Sequence, residues 1–383
     1  MHILISPNAF KNSLDAAAVA EAIQKGLLES GLPCSTACFA VGDGGDGTAN
    51  LIIDRMKGVG INVKVHNALG KKINSSFGLI ENGKTAVIEL ADASGLRLLK
   101  KNEYDPLHTT TFGTGELIKH ALDRGVEKII IGIGGSATVD GATGILDALG
   151  IRFLKKKKKI LHSIPQNMAE LDDFDTSKLD KRILNTKLIV LCDVDNTLLG
   201  DQGAAAVFGP QKGADKSDVK KLEKGLKKFR DIAFRKTGKD MSTIKYGGAA
   251  GGVGAGLSVF LNAELVNGIE YFLDITGFDE ALEKTDLVIT GEGSIDQQTL
   301  QGKGPFGVAK RAMKKNIPVI GLAGKIPLRA DPLLDEYFQV LVSINNDVGD
   351  INKALMNTAD NLRRTARSIG RLLSFSTHQG FSK

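Results

Sequence analysis

The chain has 383 residues, with 50 Lys plus Arg against 44 Asp plus Glu, a formal net charge of +6 and 42% hydrophobic residues. This length and apolar content provide for two folded domains and exclude a disordered chain. The 45 glycines, well above the roughly 7% of ordinary proteins, follow no G-X-Y period and form no Gly/Ser tracts, so collagen and linker readings fail and tight turns or ligand loops remain.

At the N-terminus, Met1 to Ser6 lacks a basic leader region and a long apolar stretch, so it reads as a strand and the protein is expected in the cytoplasm. Ile3 to Ile5 leads through Ser6-Pro7-Asn8-Ala9-Phe10-Lys11-Asn12 into a helix with Ser13 as expected N-cap and Val19, Ile23 and Leu27 on one face, ended by Gly31. A second β unit, Ser35 to Val41, opens on Gly42-Asp43-Gly44-Gly45-Asp46-Gly47-Thr48 and another helix, which predicts a parallel sheet. Cys34, Cys38 and Cys192 form no C-x-x-C pair, which argues against a disulfide scaffold and a zinc site. From Val63 to Leu90 the period becomes two, and Asn82-Gly83 marks a hairpin. Gly78 to Thr85 carries the letters of a P-loop, but Thr85 to Leu90 alternates like a strand where a P-loop needs a helix, so an ATP site is rejected there.

Strands at Lys128 to Ile133 and Lys187 to Cys192 run into glycine-containing loops, with helices at Thr114 to Arg124 and Gly141 to Leu149. The positive charge concentrates in Lys155 to Lys159, which reads as a solvated hairpin tip, and in Lys220 to Lys228. Neither run has interleaved aromatics, so nucleic-acid binding is not expected. Tyr246 to Ala263 is the longest uncharged segment and carries six glycines; it reads as a buried Gly-rich turn and helix instead of a membrane span. After Gly291 the strand-loop-helix style returns, with strands at Asp286 to Thr290, Val319 to Leu322 and Gln339 to Ile344, a helix at Pro305 to Lys315 and a long C-terminal helix. The expected organisation is one domain from residues 1–70 and 281–383 and an inserted domain over 71–280, with a cleft where they meet.

Several loops carry chemistry. Gly134-Gly135-Ser136, between a strand and a helix, can cradle an anion with backbone N–H groups. Asp43, Gly44 and Gly45 occupy another strand-to-helix junction, suited to Mg²⁺ through water or to a polyol. Lys212 in Phe208 to Gly213 and Lys11 supply cations. The strand Leu188 to Cys192 delivers Asp193 and Asp195, which resembles the D-x-D-x-T motif of haloacid-dehalogenase phosphatases, where the first Asp is a nucleophile beside Mg²⁺. Together these groups are what phosphoryl transfer requires.

The ordered segments SPNAFKNSL (6–14), GDGGDGT (42–48), ADASGL (91–96), TTTFGTGELI (109–118), IGIGGSATVDGATGILDALG (131–150), CDVDNTLLG (192–200), GAAAVFGPQKGA (203–214), AAGGVGAGL (249–257) and DLVITGEGSIDQQTLQGKGPFGVA (286–309) resemble the type I glycerate kinase family. The resemblance implies an α/β fold of two domains, a Rossmann-like (restriction-enzyme-like) one formed by both chain ends and an inserted flavodoxin-like one. It also implies ATP-dependent, Mg²⁺-assisted phosphorylation of D-glycerate to 2- or 3-phosphoglycerate. Small-molecule substrates are the expected partners, with no nucleic acid or membrane, and a homodimer is compatible with this reading. The family's P-D-S-F-K-G-S is Pro7-Asn8-Ala9-Phe10-Lys11-Asn12-Ser13 here, which removes a carboxylate and a hydroxyl, although Asn8 can still hydrogen-bond a substrate. The expected catalytic residues are Asp193, Asp195 and Lys11. Asn8, Ser13, Asp43, Gly44, Gly45, Gly134, Gly135, Ser136, Lys212 and Asn196 are expected to bind substrate or phosphate, and Asp195, Glu292 and Asp296 to serve the metal. The phosphatase with Asp193 and Asp195 is the alternative.

Overall fold

The structure is a computed structural model and describes residues 1–162, 165–345 and 350–378. In chain order the strands are β1 (His2–Ile5), β2 (Ser35–Cys38), β3 (Val59–His66), β4 (Lys72–Ile80), β5 (Thr85–Glu89), β6 (Lys128–Gly132), β7 (Arg152–Lys155), β8 (Lys159–Ile160), β9 (Leu171–Asp175), β10 (Lys187–Cys192), β11 (Glu264–Asn267), β12 (Leu287–Ser294), β13 (Val319–Lys325) and β14 (Val340–Ser343). The chain divides into two compact units, Met1–Asp43 with Ile269–Lys383, and Gly44–Gly268. The fold is mixed α/β.

In the unit built from both chain ends, a parallel sheet runs in the order β14-β13-β12-β1-β2. The chain moves outward from β1 to β2 on one side and from β12 to β14 on the other. The order therefore reverses between β1 and β12, and in open α/β sheets the carboxyl ends of strands at such a reversal form the ligand crevice. Ile3, Leu4 and Ile5 are all buried, as expected for a strand covered on both faces. Helix Ala16–Leu28 buries Val19, Ile23 and Leu27 against Leu362 and Ala366 of helix Thr358–His378. The two helices touch closely at Gly26, where a Cβ would overlap the Arg363 carbonyl. The N-cap is Asp15, which accepts from Ala18 N–H at 2.8 Å, not Ser13, whose hydroxyl donates to Leu355 O at 2.6 Å. Two residues of extra loop carry the chain to the cap.

In the other unit the order is β11-β10-β6-β5-β4-β3. β5, β6, β10 and β11 are parallel, and β4 and β3 extend the sheet antiparallel. Asn82 and Gly83 adopt φ of 56° and 83° in the β4–β5 turn, and Thr85 starts a strand where a P-loop would start a helix. Lys155 and Lys159 pair across the β7–β8 hairpin tip. The lysines of 220–228 lie on helix Lys216–Thr237, whose other face buries Leu222, Leu226, Phe229, Ile232 and Ala233; the basic run is the solvated side of an amphipathic helix. The glycine-rich segment forms helix Ala249–Leu261, with Ala250, Gly251 and Gly252 at positive φ in its first turn. Among the described residues no helix is long and apolar enough to cross a membrane.

Candidate active site

In the chain-end unit, loops leave the carboxyl ends of β1, β2 and β12. Asn8 N–H donates to Gly291 O at 2.8 Å, and Asn8 Nδ2 donates to Asp43 Oδ2 at 2.8 Å. Both side chains are buried. Gly304, first residue of helix Gly304–Lys314, packs on Asn8, where a Cβ would lie 2.8 Å from Nδ2. Glu292 is also buried and accepts from Thr299 Oγ1 at 2.9 Å. Burial pushes its carboxyl up to about 7; Lys303 and Lys11 pull it down and Asp43 pushes it further up. The opposed effects of Asp43, Lys303 and Lys11 describe one electrostatic cluster. Lys11 itself is exposed in the tight loop where Phe10 N–H bonds Leu14 O at 2.9 Å. Asp296 Oδ1 accepts from Gln298 N–H at 2.9 Å and its Oδ2 from Ser294 Oγ at 3.4 Å, so its carboxylate shapes the 294–298 turn. β12 runs on to Ser294 instead of stopping at Thr290, because Gly291 can approach Leu322 of β13, where a Cβ would overlap the carbonyl.

In the other unit, the loop after β6 is held from several sides. Gly134 N–H donates to Gly44 O at 2.9 Å, Leu96 N–H to Gly135 O at 2.9 Å and Ala137 N–H to Ser94 O at 2.8 Å. Thr109 Oγ1 donates to Ala137 O at 2.8 Å. Gly44, at φ 96°, crosses the end of β10, where a Cβ would lie 2.8 Å from Leu191 O. A Cβ on Gly134 would meet Gly45, and one on Gly135 would overlap the Asp46 carboxylate. Lys212 reaches this loop from beneath: its side chain is 2% exposed, and Nζ donates to Ser136 Oγ and to Thr138 O, each at 2.7 Å. Burial pulls the amine down to about 7, and Asp140 pulls it back up.

Two buried carboxylates outside the expected set frame these loops. Glu89, the last residue of β5, accepts from Gly47 N–H at 2.7 Å and Ala49 N–H at 3.2 Å; burial pushes it up to about 7. It thereby caps helix Thr48–Arg55, whose N-terminus has no side-chain cap of its own. Asp140 accepts from Thr111 N–H and Oγ1, both at 2.8 Å, from Ala142 N–H at 3.1 Å and from Gly144 N–H at 3.2 Å. Burial pushes its carboxyl upward while these bonds oppose the shift. The sequence signal for both was available: each is an acid closing an apolar strand or opening a glycine-rich helix.

β10 ends at Cys192, and Asp193 is half-buried while Asp195 is exposed. Asn196 Nδ2 donates to Gln202 O at 2.9 Å, and Asn196 O accepts from Gly248 N–H at 2.8 Å, so Asn196 holds the loop that carries the two acids. Among the described residues no group of three or more His, Cys, Asp or Glu is arranged to hold a metal ion. Mg²⁺, however, usually takes one or two protein carboxylates plus substrate phosphates. Asp43 and Glu292 are both buried, and Asp43 raises the Glu292 carboxyl, a carboxylate pair that fits that demand for a hard cation.

The sequence pattern of the glycerate kinase family matches residues 3–374. A glycerate kinase of Halalkalibacterium halodurans is 42% identical over 374 residues, 98% of this chain and 98% of that protein. A glycerate 2-kinase of Escherichia coli (strain K12) is 40% identical over 374 residues, again 98% of each chain. The crystal structure of a protein assigned as glycerate kinase 2 from Salmonella typhimurium LT2 superposes with a TM-score of 0.82 at 41% identity, over 99% of this chain and 100% of that one. The phosphatase reading of Asp193 and Asp195 finds no support in these relatives, whose similarity runs through the whole chain and not through one acidic loop. This chain therefore belongs to the glycerate kinase family, phosphotransferases with an alcohol group as acceptor.

Proposed function

We propose that the protein phosphorylates D-glycerate with ATP and that the product is 2-phosphoglycerate. Membership of the family carries the reaction, and the name of the Escherichia coli relative, glycerate 2-kinase at 40% identity, favours the 2-hydroxyl. The loop at Gly135 and Ser136 receives anionic oxygens of the nucleotide through backbone N–H groups, while Gly134, whose N–H is given to Gly44 O, and Gly44, whose N–H is given to Thr48 Oγ1, hold the loop in place. Lys11 holds the glycerate carboxylate, with Asn8, Asp43 and Ser13 disposed along the same loops for its hydroxyls. One of Asp193 and Asp195 takes the proton of the attacking hydroxyl; that oxygen forms the bond to the γ-phosphorus as the bond to ADP breaks. Glu292, beside Asp43, would hold Mg²⁺, with Asp296 shaping the turn that presents Glu292. When bound, the metal neutralises charge developing on the transferred phosphoryl group. The protein works in the cytoplasm, where ATP is supplied.

A coupled ADP assay tests this reading. ADP release that depends strictly on glycerate is the expected outcome, with phosphorus NMR of the product showing 2-phosphoglycerate. Hydrolysis of p-nitrophenyl phosphate without ATP, or thermal stabilisation by ATP and glycerate without turnover, would reject the kinase.

A further inference from the structure

Lys212 stands apart from an ordinary substrate-binding lysine. It leaves the one-turn helix Pro210–Lys212, and its chain is fixed by Gly213 at φ 102°, where a Cβ would overlap the carbonyl of Tyr104. Its amine lies buried under the glycine loop and donates to that loop at Ser136 Oγ and Thr138 O. In its ammonium form Lys212 has hydrogens to give and no lone pair to offer, so Ser136 Oγ then accepts from it. A hydroxyl that accepts on one side has its single hydrogen left to donate. Lys212 Nζ donates to the Ser136 hydroxyl at 2.7 Å. The loop is open at Gly135, which is exposed, and closed beneath Ser136, which is 5% exposed.

We infer that Lys212 is a positioning residue, which does not touch substrate but fixes the Ser136 hydroxyl as a donor to an anionic substrate oxygen. The inference rests on the kinase reading above for the identity of the substrates. The oxygen belongs to an ATP phosphate or to the glycerate carboxylate. Asp46, whose carboxylate lies against Gly135, would repel such an oxygen, and Arg97, with Nε 4.0 Å from Asp46 Oδ1, offsets that charge.

The test is a double-mutant cycle of Lys212→Met and Ser136→Ala, read as separate KM values for ATP and glycerate and as kcat. Each single variant is expected to raise the KM of one substrate about tenfold to a hundredfold, as for a lost hydrogen bond to a charged group. The double variant should be no worse than the poorer single, and Ser136→Thr, which keeps the hydroxyl, should regain the wild-type KM. The substrate whose KM moves identifies the oxygen. Effects that multiply, or a loss confined to kcat, would overturn the inference. If Lys212→Met does not fold, the Ser136 pair still decides, since an unchanged KM for both substrates in Ser136→Ala overturns it as well. Calorimetric binding of ATP and of glycerate to the same variants scores the inference even where turnover proves independent of glycerate, so it can fail or stand apart from the kinase reading.

Discussion

Gly141 N–H donates to the carbonyl of Gly251 at 3.0 Å, so the first turn of a glycine-rich helix is bonded to the end of the 134–141 loop. Gly251 adopts φ 72°, and a Cβ there would overlap the Thr138 carbonyl, to which Lys212 also donates. Gly256 sits as closely on the Gly141 carbonyl, and Gly248 on that of Thr197. This segment has no acid or base of its own, and its small size lets it back both the 134–141 and the 193–198 loops.

Gly251→Ala combines a left-handed backbone with an overlap against fixed backbone, and should cost at least about 2 kcal/mol in stability. Gly31→Ala, at φ 79° with open space around it, bears only the conformational cost of about 1 kcal/mol. Urea unfolding of the two variants side by side measures the difference. Equal losses would mean that close packing at Gly251 is unimportant.

Asn8→Ala removes the donor to Asp43 and leaves a buried carboxylate without that partner. The expected result is a fall in kcat/KM for glycerate of about tenfold or more, with the KM for ATP little changed. Steady-state kinetics with each substrate varied in turn will show which parameter carries the loss.

Glu292 has a folded-state carboxyl at about 7 against an ordinary value of 4.5. Between those values the folded chain holds a proton that the unfolded chain has lost, so its contribution makes stability fall as pH rises from about 4.5 to about 7 and level off above. Glu292→Gln keeps an acceptor for Thr299 and removes the charge. It should therefore be more stable than wild type at pH 8 by up to roughly 3 kcal/mol and equal to it near pH 4.5, when unfolding is followed with a chelator present. A difference that does not vary with pH would contradict the assigned shift.

Of Asp193→Asn and Asp195→Asn, the one that removes the proton acceptor should lower kcat by about 10²–10⁴. The other should chiefly raise the Mg²⁺ concentration needed for half-maximal rate. Near-normal turnover in both variants would discard the carboxylate assignment altogether.

Apolar runs such as Ile3 to Ile5 and Leu188 to Cys192 announced their strands, because burial on both faces requires continuous hydrophobicity. The hairpin at Asn82-Gly83 was equally plain, since few residues tolerate its positive φ. Ser13 failed as an N-cap because Asp15, two residues on, competes for the same amides, and local pattern does not rank two eligible caps. Helix Lys216–Thr237 was not among the expected elements, although Leu222, Leu226 and Phe229 repeat at helical spacing. Glu89 and Lys212 are different: a carboxylate and an amine look alike in sequence whether they face solvent or lie under a loop.

By itself the sequence determined the family and the alternation of strands and helices, because these follow from periodicity, from turn residues and from ordered motifs. Of its 45 glycines, 24 fall in five windows, 42–47, 132–144, 200–213, 247–256 and 291–307, so the surplus was recognisable as a property of loops. Tertiary structure alone decided what each loop leans on. The 91–96 and 109–118 segments hold the loop after β6 through Ser94, Leu96 and Thr109, Glu89 caps a helix distant in sequence, and the 247–256 glycines permit backbone to meet backbone. Contacts of that kind depend on which atoms are excluded from a volume, and exclusion is set by the packed neighbours and not by any one segment.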